Sequence, residues 1–308
     1  MTSCASRYRR RGLLAAGATA VLALTLAACG SDNSSAPAAD QAAKPTASSH
    51  AGHETMPGMD HSAGMDMNQA GANGLSDTKQ GYRLTSQDTT LAAGKPVAYR
   101  FAITGPDGNP VIAFAPDQTK RMHFYAIRSD LSGFQPLHPA MAPDGTWTAD
   151  PASLQPGSWR VFASFIPDSG PRKNEDFVLS RTLTVPGDAA ATPLPAAAAS
   201  TEVDGYTVTV KGDHTAGKAA ELTVSVAKDG KPVTGLQPYL ETYAHLTAFH
   251  EGDQAFAHLH PETKVSGNRG GPDLSFHAEL PDSGNWRLFL QFQSGGKLHT
   301  AALTLHVA

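Results

Sequence analysis

The chain has 308 residues, of which 17% are charged and 7% aromatic, with 29 glycines, 22 prolines and a net charge of -4. With a mean hydropathy of -0.27 and a pI near 6.3, this profile argues against a polytopic membrane protein, a wholly disordered chain and a nucleic-acid partner. Both cysteines, Cys4 and Cys29, fall in the first thirty residues, so whatever folds downstream has no disulfide, iron–sulfur cluster, cysteine nucleophile or blue-copper thiolate.

Residues 1–28 read as a lipoprotein signal peptide. Arg7, Arg9, Arg10 and Arg11 form a basic start, and Leu13 to Ala28 is an apolar run too short to favour a stable membrane span. The run ends in Leu26-Ala27-Ala28-Cys29, which resembles the bacterial lipobox; the resemblance implies that Cys29 becomes the acylated first residue of an exported protein, anchored to the outer face of the cell membrane. An ordinary signal peptide with an incidental cysteine is the alternative. Arg10-Arg11 also fits a loose twin-arginine pattern, which does not decide the export route. Removing residues 1–28 takes away four arginines and no acids, leaving 20 basic residues against 28 acidic. That balance suits cation handling and is poor for anionic lipid headgroups.

Residues 29–77 read as a flexible tether, because Ala, Ser, Gly, Pro, Asp and Asn dominate and no hydrophobic period is present. Set in it are His50, His53, Met56, Met59, His61, Met65 and Met67. Methionines serving a core would have Leu, Ile, Val or Phe beside them, and these do not. Thioether sulfur is soft and imidazole borderline, a combination that favours Cu(I) over hard cations. The stretch Met59-Asp-His-Ser-Ala-Gly-Met-Asp-Met67 resembles the Met-Asp-His-Ser repeats of bacterial copper-resistance proteins. Silver fits the same donors, and a biased linker with incidental Met and His is the bland alternative.

The remainder is one unit written twice. Tyr82 opens one copy and Tyr206 the other; Asp107-Gly-Asn-Pro-Val111 answers Asp229-Gly-Lys-Pro-Val233. His123 lies fifteen residues before His138 and His245 fifteen before His260, each later histidine preceding a proline. Gly157-Ser-Trp-Arg-Val-Phe162 matches Gly284-Asn-Trp-Arg-Leu-Phe289. Short apolar runs bounded by Gly, Pro and Asp indicate an all-β protein. The expected architecture is two tandem immunoglobulin-like β-sandwiches, residues 78–186 and 201–308, joined by a Pro/Ala-rich linker at 187–200. Trp159 and Trp286 are expected as core anchors.

A hairpin centred on Gly252-Asp253 sets Phe249 against Phe256, Thr247 against His258 and His245 against His260. The same register in the first copy sets Tyr125 against Pro136 and His123 against His138. Opposed residues have Cβ atoms roughly 5 Å apart, so His245, His258 and His260 are expected on one patch as a three-imidazole set for Cu(II) or zinc, with His299 approaching as a fourth ligand. For His123 with His138, a cross-strand hydrogen bond inherited with the fold competes with a metal role. His277 is expected solvated, and His214, His250 and His306 on surfaces or turns.

The region 80–308 looks like secreted actinobacterial lipoproteins built from tandem immunoglobulin-like units with a His-Pro motif. It is more distantly similar in style to the CopC and YtkA-like copper-resistance domains. That resemblance implies extracytoplasmic copper binding without catalysis. CopC-type sites often use a free N-terminal histidine, which lipidation at Cys29 would preclude. The expected function is therefore a metal-binding lipoprotein, copper first, that sequesters or passes on the ion to other envelope or copper-handling proteins. The alternative is a non-catalytic structural or interaction module. A cupin-type enzyme, suggested by His258-Leu-His260-Pro-Glu262, lacks the usual spacing and a second histidine motif.

Overall fold

The computed structural model describes residues 73–188 and 190–308, with the side chain of His258 excepted. The signal peptide, Cys29, and the tether ligands His50, His53, Met56, Met59, His61, Met65 and Met67 lie outside the described residues.

Strand formation in the first repeat follows the alternation of apolar and polar residues. Its strands are β1 (Thr78–Lys79), β2 (Tyr82–Thr85), β3 (Tyr99–Thr104), β4 (Phe114–Ala115), β5 (His123–Arg128), β6 (Gln135–Leu137), β7 (Ala140–Met141), β8 (Trp147–Ala149), β9 (Gly157–Pro167) and β10 (Phe177–Val185). Two sheets form, in the orders β1-β2-β3-β8-β7 and β10-β9-β5-β6, with β4 on β9. Tyr99, Phe101 and Ile103 on β3 point inward, where they meet Phe124, Trp159 and Leu179. The turn between β1 and β2 is Gln80-Gly81, with φ of 49° and 87°. Two consecutive positive values define the mirror-image turn that matches strand twist, which is why glycine is needed at the second place.

The second repeat comprises β11 (Ser200–Val203), β12 (Tyr206–Lys211), β13 (Ala219–Lys228), β14 (Lys231–Pro232), β15 (Ala244–His250), β16 (Phe256–Pro261), β17 (Asp273–Glu279), β18 (Gly284–Ser294) and β19 (Lys297–Val307). Here the two layers are joined: the order β11-β12-β13-β17-β16-β15-β18-β19 is continuous because β16 pairs β17 at His260↔His277 and Pro261↔Phe276. The opening hairpin is repeated at Asp204-Gly205, φ 50° and 80°. The fold is all-β, two tandem immunoglobulin-like sandwiches, as expected.

Trp159 and Trp286 are both fully buried. Each indole Nε1 donates to the carbonyl four residues back, Gln155 O and Asp282 O, at 2.9 Å in both cases. A buried indole must satisfy its one donor, and the duplication preserves the same solution twice.

The two repeats pack face to face. Strand β5 is buried at all six positions and β15 at six of seven, so both are covered on each side. The covering layer is a third core of Tyr125, Ile127, Leu131 and Phe162 from the first repeat with Phe249, Phe256 and Phe289 from the second. Phe134 stacks on Phe289 with ring centres 4.2 Å apart, and its counterpart Phe256 stacks on Phe162 at 5.3 Å. Because equivalent residues make equivalent contacts, the interface has the self-complementary character of a two-fold dimer within one chain. Gln254 Nε2 donates across it to Ile127 O at 3.3 Å. The entering segment is bonded to both halves: Phe256 N donates to Asn73 O at 2.8 Å and Ser180 N to Ser76 O at 2.9 Å.

Candidate functional site

The expected hairpin registers are observed as far as the ladders run, but these end at Leu246↔Leu259 and Phe124↔Leu137, one step short of the expected histidine pairs, and His260 pairs instead with His277 on β17. In the second repeat Thr247 opposes His258 and Phe249 opposes Phe256; in the first, Tyr125 opposes Pro136 and Phe124 opposes Leu137. Residues opposed in an antiparallel pair share a face. His123 and Tyr125, like His245 and Thr247, therefore point away from their own sandwich core and into the layer between the repeats.

This placement turns one histidine of each repeat, His123 and His245, toward the layer between them. His123 and His245 are both buried, and the rings of His123 and His138 lie edge to face with centres 5.2 Å apart. His138 is half-buried, and both His123 and His245 act electrostatically on it. The Tyr125 side chain abuts Thr247 one step further along the same pair of strands.

Both inward histidines are held the same way. His123 Nε2 donates to Asp117 O at 3.0 Å, and His245 Nε2 donates to Tyr239 O at 2.8 Å, six residues upstream in each repeat. A carbonyl only accepts, so each ring carries a proton on Nε2. Asp117 also places a carboxylate oxygen 3.9 Å from His123 Nε2.

Burial pushes the pKa of His138 down to about 4, with the neighbouring His123, Lys120 and His245 acting in the same direction. Burial also lowers His245, opposed by its bond to Tyr239 O. A folded-state value below the unfolded value near 6.5 means that the unfolded chain binds more protons in between. Stability is therefore full above pH 6.5 and falls as pH drops toward 4. Solvent screening at the half-exposed His138 ring limits the loss to about 2 kcal/mol. Urea midpoints of the metal-free chain at pH 7.0 and about 4.5 measure it; H138Q flattens the dependence, and an equal slope in both chains would remove His138 as its source.

The remaining expected ligands are placed differently. His260 is exposed, so the symmetry of the two pairs breaks at this position. His258 shares the register position opposite Thr247; its side chain lies outside the description. His299 does not approach the set. It pairs with Phe292, which pairs with Ala244, whereas His245 pairs with Gln291 and Gln291 with Thr300. One residue of offset turns it to the opposite face of the sheet. There it lies between Tyr206 and Phe292, with Nδ1 on Asp204 at 2.7 Å. His277 is exposed as expected, whereas His214 is buried and not on the surface.

Among the described residues, His250, Asp253 and Asp282 form a group with ligand atoms within 4.8 Å of one another. Its histidine is engaged at both nitrogens, Nδ1 with Asp253 at 2.9 Å and Nε2 with Ser283 O at 3.0 Å. That arrangement clamps the loop between β15 and β16.

The signal that sequence reading passed over is the lack of alternation in β5 and β15. His-Phe-Tyr-Ala-Ile and Ala-His-Leu-Thr-Ala-Phe read as strands covered on both faces, which requires something to cover the second face. The other repeat does so.

Residues 201–308 match the model of a domain of unknown function, DUF8832. No curated protein matches the chain. Among solved structures, the adhesin FdeC of Escherichia coli is 16% identical, the match covering 75% of this chain and 65% of that one with a TM-score of 0.25. InvD of Yersinia pseudotuberculosis is 13% identical, over 75% of this chain and 58% of that one, TM-score 0.25. The N-terminal Ig1-2 module of the Drosophila receptor protein tyrosine phosphatase DLAR is 11% identical, over 74% and 98%, TM-score 0.21. The chain thus spans less than two thirds of the length of the first two.

Proposed function

We propose that this chain is a non-catalytic module of the cell envelope, exported and lipid-anchored through Cys29, which carries a rigid double sandwich on a tether. The observation that carries the reading is the aromatic layer between the repeats. A shared core of seven buried side chains makes the pair one body, as a structural or binding module requires and a flexible string of domains does not.

A finer reading is favoured by the histidines: the module binds a transition metal, copper before others. Two sets of donors support it, the soft tether ligands His50, His53, Met56, Met59, His61, Met65 and Met67 for Cu(I), and the buried imidazoles of His123 and His245, one on each repeat, for Cu(II) or zinc. Metal content of the mature protein tests this, measured beside a full-length chain in which the seven tether ligands are replaced by Ser or Leu. Copper held more tightly than by a His/Met-free control of similar charge is the expected result. Binding no tighter than that control would leave the structural or protein-interaction role standing without a metal.

A further inference from the structure

We propose that a cleft of the first repeat, lined by Arg100 of β3 and Arg181 of β10, binds an acidic oligosaccharide, a short chain of hexuronic-acid residues. No histidine or tether ligand takes part, so the site is independent of the metal reading.

The cleft has a volume of about 460 Å³, the size of a small-ligand site. Besides the two arginines, Ser86 and Asp88 line it, from the segment that follows β2. Arg181 stands where the strand buries apolar side chains. Leu179 and Leu183, its neighbours on the same face, are 0% and 2% exposed. The duplication supplies the comparison: Arg181 pairs Val161 on β9 as Leu303 pairs Leu288 on β18, and Leu303 is a core residue. A guanidinium in a core position costs stability unless its donors are used. Here Nη1 reaches Leu84 O at 3.4 Å, long for a hydrogen bond, and stands 3.9 Å from Asp77 Oδ2. Among the described residues, Nε and Nη2 have no hydrogen-bond partner.

Arg100 is also particular to this copy. Arg83 pairs Thr104 as Thr207 pairs Ala227, so Arg100 answers Thr223 of the second repeat. It is exposed, and among the described residues its guanidinium has no hydrogen bond or ion pair. The rim beside it is fixed to β3: Asp88 Oδ2 accepts from Arg100 N at 3.0 Å, while Ser86 Oγ donates to Arg100 O at 2.6 Å and accepts from Asp88 N at 3.0 Å. Asp88 Oδ1 is left to accept from a ligand.

These groups select the ligand. Spare guanidinium donors suit carboxylates, which they meet bidentately. A carboxylate oxygen only accepts, so Asp88 suits hydroxyl groups. A hexuronic-acid residue carries both, and two arginines in one cleft suit a chain with more than one of them. A polyphosphate meets the arginines equally well but offers Asp88 no donor and is repelled by it.

The test titrates the full mature chain with trigalacturonate by calorimetry, beside maltotriose, a neutral chain of the same length, and tripolyphosphate. Trigalacturonate is expected to bind, more weakly as salt is raised, and maltotriose not to bind. R100T and R181L set in the residues that the second repeat carries at these places, and each weakens binding about tenfold or more. R100T alters an exposed side chain and decides the matter alone if R181L unfolds the chain. No binding of trigalacturonate, equal binding of maltotriose, tighter binding of tripolyphosphate, or affinity unchanged in R100T would each overturn the proposal. Copper content is expected to be the same in both variants as in the parent, so this result and that of the metal test are separate.

Discussion

The F249A chain is expected to unfold about 3–5 kcal/mol more readily than the parent, and in two steps where the parent unfolds in one. Phe249 is fully buried, yet it belongs to neither sandwich core. Its ring meets Phe134 at 5.8 Å, Phe162 at 5.4 Å, Phe256 at 5.7 Å and Phe289 at 6.1 Å, so it is the hub of the layer between the repeats. Truncating a buried phenylalanine removes its transfer free energy and leaves a cavity that packed aromatic neighbours fill poorly, about 3–5 kcal/mol together. Each repeat keeps its own core, of which Trp159 and Trp286 are the anchors. Losing the layer therefore uncouples the halves while leaving each folded, and two-state behaviour goes with it. F249L, which retains much of the volume, should cost less than about 1.5 kcal/mol. Urea denaturation followed by tryptophan fluorescence and by circular dichroism reads both effects. A single unshifted transition in F249A would mean that the layer contributes little.

A second large loss is expected at Asp130. The Arg128–Asp130 pair is nearly inaccessible, its side chains 10% and 11% exposed, and it holds the connection between the repeats. Asp130 accepts from the Thr192 amide at 2.7 Å and from the Ser132 hydroxyl at 2.6 Å, while Arg128 Nη2 donates to Ala190 O at 2.8 Å. Burial raises the Asp130 pKa, but Arg128, Ser132 and the Thr192 amide together outweigh it and hold the carboxyl far below the ordinary range. D130A strands a buried guanidinium, which costs about 3–5 kcal/mol. It also releases the linker, so the amide of Thr192 should exchange with solvent much faster. Since the folded value is depressed, this stabilisation is present above the unfolded pKa near 3.9 and is lost as pH falls below it. Denaturant melts of D130A and D130N at pH 7, with hydrogen exchange at Thr192, test the assignment; unchanged exchange there would remove the linker from it.

Much of this architecture was legible in the residues, and the reasons are physical. A two-residue period tells a strand which residues share a face, and the Phe249–Phe256 match allows one hairpin register; a one-residue slip would have set the two rings on opposite faces of the hairpin. The buried set of β19, Ala301, Leu303 and Val307, follows from the same parity. His299 was misplaced because its proximity to Thr300 in the chain conceals that neighbouring residues of a strand look in opposite directions. That His123 and His245 face one shared layer was not legible. It depends on two domains docking, and nothing local in either strand names the partner. The only trace was the missing polar alternation in β5 and β15, which states that a cover exists without stating whose.

The connection spanning residues 187–199 has a consequence for how tightly that docking must hold. Tethering turns an encounter between two bodies into an intramolecular closure, governed by a local concentration on the order of millimolar for a short link. An intrinsic dissociation constant of about one micromolar would then leave roughly one molecule in a thousand open. Selection on the contact can therefore be relaxed well below what a freely diffusing pair demands, and polar or charged groups that would be intolerable in a separate dimer, imidazoles among them, can be accommodated in the seam.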